Sequence, residues 1–271
     1  MIDSPANPRV KAALRLRERG ERDASGQTLV DGARESVRAI EAGVQVVEAF
    51  VCRALVNGPD GERAMERLAA ARTQVTGLSV RAFERLAYGD RADGIVLVIR
   101  TPRLGLADLT LPADPLVVVT EDVEKPGNVG AILRSADAVH AHAVIAVGGT
   151  DLFNPNVVRA SIGTVFSVPV ATAPTAGDVA AWLRGQGVRI VAARVDARQL
   201  HVDAELRGPL AIVLGSESKG LSGAWSAPDV AGIRLPMLGA ADSLNVAAAA
   251  AVLLYEAWRQ RRDRSSPPES G

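Results

Sequence analysis

Three segments of the chain place polar side chains directly after short apolar runs. Asn128 and Arg134 follow the run LVVVT, and Glu217 follows the run LAIVLG. Ser243 and Asn245 follow the run IRLPM. Because ligands of open α/β sheets bind beyond the carboxyl ends of the strands, we expect these side chains to lie near one another. One polar loop is ordinary, whereas three at one sheet edge predict a binding or catalytic site.

Several common catalytic motifs are missing from these segments. GSESKG has the glycine spacing of a phosphate loop but lacks its Gly-Lys-Ser/Thr ending, because Lys219 is followed by Gly220. Residues 127–130 lack the three-glycine dinucleotide fingerprint, and no GxSxG elbow occurs. The histidines show no triad or zinc spacing, and the single cysteine excludes an intrachain disulfide. ATP hydrolysis, dehydrogenation, serine hydrolysis and zinc chemistry therefore lose support, and no metal is expected.

The segment 241–258, ADSLNVAAAAAVLLYEAW, holds five consecutive alanines and predicts a helix. Ser243 or Asp242 is expected to cap this helix by accepting hydrogen bonds from the amides of its first turn. On this interpretation Asn245 is a solvated residue without a further role. The residues alone leave open whether this helix start also belongs to a site.

From Leu116 onward, short continuous apolar runs alternate with helical segments. Such runs indicate strands buried on both faces, and therefore an α/β fold with a mostly parallel sheet covered by helices. Residues 115–264 are predicted to form this domain, and the polar tail 265–271 is predicted to be disordered. The predicted strands are LVVVT, AVIAVGG, VFSVPVAT, VRIVAARV, LAIVLGS and AGIRLPM.

Residues 1–100 predict a smaller α/β domain in which strands alternate with helices. This domain begins with a short basic helix over residues 8–20. Residues 101–114 contain prolines, show no apolar period and predict a linker. The predicted strands of the smaller domain are QTLVDG, VVEAFVCRAL, TQVTGLS and GIVLVIR.

The chain carries 31 basic and 31 acidic residues, so no global attraction to nucleic acid is expected. Locally, residues 9–22 hold six basic residues against two acidic ones, and residues 259–264 hold four arginines against one aspartate. Such patches suit phosphate contacts, and a solvated helix face explains them equally well. No apolar run reaches the roughly 18 residues of a membrane span, and the N-terminus lacks a signal-peptide pattern, so a cytoplasmic protein is expected.

Three segments, in their order and spacing, resemble the motifs of the SpoU/TrmH class of RNA ribose 2′-O-methyltransferases in the SPOUT superfamily. They are NVGAILRSADAVHA, LAIVLGSESKGLS with IRLPML, and SLNVAAAAAVLLYE. The similarity spans roughly residues 115–260, and the VDGARESVRAIEAG region resembles the L30e-like substrate-binding domain that often precedes this catalytic domain. The chain also resembles antibiotic-resistance ribosomal RNA methyltransferases of the thiostrepton and avilamycin type.

This resemblance implies a sheet domain with a C-terminal trefoil knot, an exception to the general avoidance of threaded loops. The knotted loops would bind S-adenosylmethionine, and the catalytic domains would pair as a homodimer. On the last helix, one apolar stripe is expected to serve the knot side and another to face the second subunit, unless both are buried in one core. The first stripe is Leu244, Ala248, Ala251 and Tyr255, and the second is Leu254 with Trp258.

The resemblance also implies roles for five polar residues. Arg134 would stabilise the oxyanion that develops at a ribose 2′-hydroxyl and clamp the adjacent phosphate. Asn128 would hold Arg134 or the ribose. Glu217 would orient the arginine or a backbone loop, with an exposed loop acid as the alternative. Ser243 would cap the last helix while facing the site, and Asn245 would orient neighbouring groups.

The cofactor is expected to lie against apolar or glycine positions, because an adenine ring favours flat, dry walls. One loop reads GSESKG where many relatives read GSEGxG, so Ser218 replaces a glycine and Gly220 is expected to supply the permissive backbone. For Arg159, a surface arginine on a helix is the alternative to an RNA contact. The predicted cofactor residues are Ala192, Ala193, Leu214, Gly215, Ile233, Leu235 and Leu244, and the predicted RNA-binding residues are Arg9, Lys11, Arg15, Arg17, Arg19 and Arg159.

The function implied by the resemblance is S-adenosylmethionine-dependent 2′-O-methylation of ribosomal RNA, with 23S rRNA favoured. Protection against a ribosome-targeting antibiotic is a further hypothesis that the same resemblance raises. The alternative within the class is a tRNA ribose methyltransferase, which more often lacks the extra N-terminal domain. A non-catalytic RNA-binding protein is the alternative of another class. It would be expected to have lost Arg134 or Asn245, and both are present.

Overall fold

The computed structural model describes residues 1–87, 93–148, 150–216 and 219–262. The chain forms two compact units. The first contains Met1–Pro102 and Asp151–Ser167, and the second contains Arg103–Thr150 and the chain from Val168 onward. Glu217 and the tail 265–271 lie outside the described residues.

A four-stranded mixed sheet is the centre of the first unit. In chain order, the elements are α1 (Pro8–Arg15), α2 (Arg19–Ser25), β1 (Gln27–Asp31), α3 (Ala33–Glu41), β2 (Val46–Val51), α4 (Gly58–Ala70), β3 (Val75–Gly77), α5 (Val80–Leu86) and β4 (Ile95–Arg100). The strand order is β1-β4-β2-β3, with β4 antiparallel to both neighbours and β2 parallel to β3. Apolar side chains from α1, α5 and the strands form one buried core, which includes Val10, Phe50 and Phe83.

The helix predicted over residues 8–20 is in fact two helices, α1 and α2. The buried guanidinium of Arg22 donates from Nη1 to the carbonyl oxygens of Leu16 and Arg17, at 3.0 and 2.7 Å. These carbonyls follow the last turn of α1, where helical partners are no longer available. The Arg22 side chain of α2 therefore supplies hydrogen-bond donors to the carbonyl oxygens at the end of α1. The prediction of a single helix over residues 8–20 is wrong.

A seven-stranded sheet is the centre of the second unit. The elements from residue 116 onward are β5 (Leu116–Glu121), α6 (Pro126–Ala138), β6 (Ala143–Val147), α7 (Pro155–Ala160, part of the first unit), β7 (Val170–Ala173), α8 (Ala176–Gly185), β8 (Arg189–Ala193), β9 (Gln199–Leu200), β10 (Leu210–Gly215), β11 (Val230–Arg234) and α9 (Val246–Arg262). The strand order is β7-β6-β5-β10-β8-β11-β9, and every pairing is parallel. Residues of the central strand β5 are all buried, so the predicted α/β fold with a mostly parallel sheet is confirmed.

Two segments differ from their predictions. VFSVPVAT was expected to be one strand, but Thr164–Phe166 form a 3₁₀ helix and β7 begins only at Val170. Pro169 lies between them and has no amide hydrogen for a strand ladder. Residues 103–114, predicted as a linker, lie in the second unit. Three of their leucines, Leu106, Leu109 and Leu111, pack against its core.

The segment Asp151–Ser167 belongs to the first unit although it lies between two strands of the second. The Thr28 hydroxyl donates to the Phe153 carbonyl oxygen at 2.7 Å in a buried position. Arg38 Nη1 donates to the Ile162 carbonyl oxygen at 2.5 Å. Bonds to backbone oxygens of this kind hold the segment on β1 and α3 by its main chain.

The C-terminal helix α9 packs against α6 and presents one side to solvent. Leu254 is fully buried, whereas the neighbouring Tyr255 is 49% exposed and Trp258 is 39% exposed. The prediction that Leu254 faces a second subunit is therefore wrong, because that side chain is already enclosed within its own unit. The stripe assigned to the knot side, which includes Leu244 and Tyr255, carries exposed apolar side chains instead.

Candidate active site

The carboxyl ends of the parallel strands bring the predicted site segments to one edge of the second unit. Glu121 at the end of β5 is level with Gly215 at the end of β10. Ala193 at the end of β8 is level with Ile233 of β11. Since β5, β10, β8 and β11 are consecutive neighbours, the loops that follow them share this edge, as the apolar runs predicted.

A side-chain hydrogen bond joins the first and third of the three segments. Asn245 Nδ2 donates to Asn128 Oδ1 at 3.1 Å. Asn128 lies in the first turn of α6, and Asn245 immediately precedes α9. The two helices that carry these motifs are thus connected at their N-terminal ends, and the orientation of the Asn128 amide is fixed by a donor.

Asn245 also caps α9. Its side-chain oxygen Oδ1 accepts from the backbone amides of Ala247 and Ala248, at 3.0 and 3.4 Å. The prediction that Ser243 or Asp242 caps this helix is wrong, because α9 begins at Val246 and Asn245 is therefore the residue whose oxygen reaches the free amides. Ser243 is exposed in the segment before the cap.

The Arg134 side chain is exposed on α6. In the described part of the chain its guanidinium has neither a carboxylate partner nor a hydrogen bond. An arginine stays charged under all ordinary conditions, so this group is a fixed positive charge on the helix that carries Asn128. Glu217, predicted to orient it, lies outside the described residues, and that role stays a prediction.

The loop after β10 turns back tightly on the end of its own strand. Gly220 N donates to the Ser216 carbonyl oxygen at 3.0 Å, and Lys219 N donates to the Ser216 hydroxyl at 3.1 Å. A Cβ placed on Gly215 would lie 2.4 Å from the Gly220 carbonyl oxygen. Gly220 itself has φ +66°, so its expected role as the permissive backbone position is confirmed. Ser218 lies outside the described residues.

The predicted cofactor residues differ in how they could meet a ligand. Ala192, Leu214 and Ile233 are buried, with at most 1% of their surface exposed, so their side chains support this edge from within the sheet. The partly buried Gly215 and the 41% exposed Leu244 retain accessible surface. Ala193 and Leu235 are also partly buried. Contact of all seven with a cofactor stays a prediction.

Sequence reasoning missed Glu121, the last residue of β5. This carboxylate is only 7% exposed, and its Oε2 accepts from Ser222 N at 2.8 Å and Trp225 Nε1 at 3.1 Å. The signal available in the sequence was an acidic residue directly after the run LVVVT. An acid at that place is equally typical of the start of an ordinary polar loop.

Two further cations lie at or beyond the strand ends. Lys219 is exposed in the loop after β10, and Arg234 is half-buried at the last position of β11. Among described residues, neither has a carboxylate partner. Other arginines of the unit are paired: Arg184 with Asp229, Arg194 with Asp196, Arg207 with Glu205 and Arg259 with Glu256.

The basic residues near the N-terminus are mostly engaged within the first unit. Arg9 Nη2 lies 2.5 Å from Glu48 Oε1. Arg17 Nη2 donates to the carbonyl oxygens of Leu86 and Ala87, at 3.1 and 2.8 Å, which terminates α5. Arg15 and Arg19 form exposed ion pairs with Glu21 and Asp23, and Lys11 is exposed. Arg17 thus has a structural role, and RNA contact by this group stays a prediction.

Arg159 lies in the last turn of α7, within the first unit. It lines a polar pocket with Asp31, Gly32, Glu35 and Asp93. Asp31 and Glu35 are buried, so the pocket wall opposite the arginine is acidic. Arg159 is half-buried, so it is not the simple surface arginine of the alternative interpretation. Its contact with RNA stays a prediction.

Residues 115–255 match the family model described as the SpoU rRNA Methylase family. The chain belongs to this family. Residues 7–97 match a second model, described as the MRM3-like substrate binding domain. The SpoU methylase match covers the strand ends, the Asn128–Asn245 bond and the loop after β10, so the geometry described above is that of the family domain.

The similarity to individual relatives extends over different fractions of this chain. The 23S rRNA (uridine(2479)-2′-O)-methyltransferase of Streptomyces viridochromogenes is 34% identical over 91% of this chain and 87% of its own. The tRNA (guanosine(18)-2′-O)-methyltransferase of Escherichia coli K12 is 39% identical over 55% of this chain and 65% of its own. The solved structure of the SpoU methyltransferase AviRb from Streptomyces viridochromogenes in complex with the cofactor AdoMet is 31% identical, with a TM-score of 0.84 over 95% of this chain and 100% of that chain.

Two other kinds of site are absent from the described residues. No group of three or more His, Cys, Asp or Glu side chains in that part of the chain could hold a metal ion. Among the described helices, none combines the length and the hydropathy of a membrane-spanning segment.

Proposed function

We propose that this SpoU methylase transfers a methyl group from S-adenosylmethionine (AdoMet) to a ribose 2′-hydroxyl of ribosomal RNA, with 23S rRNA as the substrate. Similarity along both units supports this choice. The relative named for 23S rRNA matches 91% of the chain, whereas the relative named for tRNA matches 55%. A tRNA ribose methyltransferase is therefore the less supported alternative.

The observation that carries the catalytic part of the proposal is the Asn245–Asn128 hydrogen bond. It fixes an amide on the same helix as Arg134, whose charge has no carboxylate partner in the described chain. A non-catalytic RNA-binding protein would have no need of this combination. Preorganised polar groups and a fixed cation are what stabilisation of a developing oxyanion requires.

The residues at the strand ends fit an AdoMet molecule. Gly215 has no side chain, and Leu235 and Leu244, in the segment that follows β11, retain exposed apolar surface. A flat, apolar wall interrupted by backbone groups suits an adenine ring, and no metal ligand is needed. The bound cofactor would supply an electrophilic methyl group on a sulfonium sulfur. Ala193, Gly215, Leu235 and Leu244 would hold it, supported from within the sheet by the buried Ala192, Leu214 and Ile233.

The chain's own residues have to make a weakly acidic 2′-hydroxyl reactive. Orientation of the ribose and stabilisation of negative charge on its oxygen are the two available means. Arg134 supplies the charge and clamps the neighbouring phosphate, and Asn128 positions Arg134 or the ribose. Because a guanidinium does not act as a base near neutral pH, the proton passes to the phosphate or to water. Glu217 is proposed to orient Arg134 or the adjoining loop.

The proposal includes a homodimer formed through the catalytic unit and a trefoil knot in its C-terminal half. Four apolar side chains at or on α9 are between 39% and 49% exposed: Leu244, Val252, Tyr255 and Trp258. Several exposed apolar side chains of this size on or beside one helix support a protein contact. The smaller domain is proposed to be L30e-like and to bind RNA, and the protein is proposed to work in the cytoplasm and to protect ribosomes from an antibiotic.

Incubation of the full chain with tritiated AdoMet and separate 23S rRNA, 16S rRNA and tRNA preparations tests the function. We expect label in 23S rRNA, at a nucleotide whose 3′ phosphodiester resists alkaline hydrolysis because its 2′-oxygen is methylated. Label in tRNA alone would transfer the assignment to the tRNA class. AdoMet-independent RNA binding with no label in any RNA would favour the non-catalytic alternative.

A further inference from the structure

A buried carboxylate supports the loop after β10 from the neighbouring strand. Glu121 is 7% exposed, and the structure gives its Oε2 two donors, Ser222 N and Trp225 Nε1. Burying a carboxylate costs free energy unless hydrogen bonds compensate for the lost water. The two bonds therefore have to be maintained for this packing to be stable, which makes the contact a strong constraint on the segment that supplies the donors.

One donor, Ser222, ends the part of the loop that returns over Gly215, and the other, Trp225, lies just beyond it. The described return segment runs from Lys219 to Ser222, and its backbone passes Gly215 so closely that a Cβ there would meet Gly220 O at 2.4 Å. Gly215 is the register partner of Glu121. The return segment thus meets the sheet at two neighbouring points. It packs against the backbone of β10 at Gly215, where the absence of a side chain leaves room for it, and its end is bonded to the Glu121 carboxylate of β5.

Trp225 makes the second donor rigid. Its side chain is 1% exposed and belongs to the same buried cluster as Val179 and Leu183 of α8. Because the indole is enclosed by these side chains, the position of its Nε1 donor is fixed. The Glu121 side chain is therefore bound between a fixed indole and the end of the loop.

We propose that Glu121 is a positioning residue for the cofactor site: through Ser222 and Trp225 it holds the return segment in place over Gly215. This inference rests on the proposed function, in which Leu214 and Gly215 belong to the AdoMet site. Loss of the carboxylate should release the return segment and weaken AdoMet binding.

The test compares Glu121→Gln with Glu124→Gln in the full chain. Glu124 is exposed in the same connection between β5 and α6 and has no hydrogen bond or ion pair among the described residues. Calorimetry should show AdoMet affinity on the order of tenfold weaker for Glu121→Gln and unchanged for Glu124→Gln, because a neutral oxygen accepts weaker hydrogen bonds than a carboxylate. Hydrogen exchange of residues 219–225, measured without cofactor, should accelerate only in Glu121→Gln.

Trp225→Phe is the second variant, since it removes one of the two hydrogen bonds without touching the carboxylate. We expect Trp225→Phe to lose less AdoMet affinity than Glu121→Gln. When the two substitutions are combined, the loss of AdoMet affinity should be smaller than the sum of the two separate losses. A Glu121→Gln protein that melts earlier but binds AdoMet like Glu124→Gln would overturn the positioning role. If the wild-type protein binds no AdoMet, the proposed function is wrong. If hydrogen exchange is nevertheless accelerated in Glu121→Gln, Glu121 stabilises the loop but has no role in cofactor binding.

Discussion

Asn245 holds two helices with one side chain: its amide nitrogen donates to Asn128 Oδ1, and its oxygen caps α9. The two functions can be separated by substitution. Asn245→Asp keeps an oxygen for the cap but has no donor for Asn128, so methyl transfer should fall at least about tenfold with little change in stability. Asn245→Ala loses both contacts and should also lose about 1 kcal/mol of unfolding free energy. Methylation assays and urea denaturation of both variants would show the difference, and equal stability of the two would contradict the cap.

Arg134→Ala should separate cofactor binding from catalysis. Arg134 is assigned to the acceptor ribose and its phosphate, so AdoMet affinity should stay within about tenfold, or 1.4 kcal/mol, while methyl transfer is abolished. Arg134→Lys is the matched variant, because it keeps the charge without the planar fork and should recover only part of the rate. Calorimetry beside a methylation assay measures both effects. An active Arg134→Ala enzyme would remove the proposed role.

Gly215→Ala should destabilise the second unit and weaken AdoMet binding together. The added Cβ would lie 2.4 Å from Gly220 O and 2.9 Å from Leu221 N, both backbone atoms that cannot rotate away. Overpacking of this kind costs about 1–3 kcal/mol. Gly223→Ala is the control, because a Cβ there would meet nothing within 4 Å. Urea denaturation and calorimetry of the pair would test this, and similar behaviour of the two variants would contradict the close approach.

Lys219→Gln and Arg234→Gln should each weaken RNA binding and reduce its salt dependence. Neither cation has a carboxylate partner among the described residues, so each is able to neutralise a phosphate. The slope of log affinity against log salt should fall by about 0.7 per lost contact with single-stranded RNA. Arg184→Gln, which removes a charge already paired with Asp229, should leave the slope unchanged. Filter binding at several salt concentrations would decide the matter, and an unchanged slope in the first two variants would exclude phosphate contact.

His142 should make stability depend on pH below neutrality. Burial first, and then the neighbouring His140, lowers the pKa of His142 in the folded protein, where its Nδ1 accepts from Leu116 N at 3.0 Å. The unfolded chain, with a pKa of about 6.5, then binds the proton more readily, so stability is lost as pH falls below that value. His142→Asn keeps an acceptor without titrating. Urea denaturation at pH 7.5 and 5.5 should show a smaller loss for this variant, and identical losses would refute the assignment.

The ends of the strands were predictable because continuous apolar runs such as LVVVT and LAIVLG mark strands buried on both faces. The positions of single side chains were harder to predict. Ser243 and Asn245 are both good helix caps, and only the start of α9 at Val246 decides between them. Leu254 and Tyr255 are adjacent, and the packing of α9 against α6 determines which of them is enclosed.

Glu121 and Arg17 illustrate contacts that no local pattern reveals. The partners of Glu121 are about a hundred residues away in the chain, at Ser222 and Trp225. Arg17 lies in a basic stretch that indicates phosphate binding, yet it terminates α5 through the carbonyls of Leu86 and Ala87. Tertiary hydrogen bonds with such sequence separation depend on the completed fold, so composition and periodicity could not predict them.

The assignment of Asp151–Ser167 to the first unit has a consequence for how this protein could evolve. The chain passes between its two units three times, after Pro102, after Thr150 and after Ser167. Exchange of residues 1–102 by a single crossover would combine a foreign β1 with the original Asp151–Ser167 segment, which carries the carbonyl that accepts from Thr28. A recombined gene would need to inherit two separate stretches from the same parent. The two units are therefore expected to be inherited as one cassette rather than shuffled as independent modules.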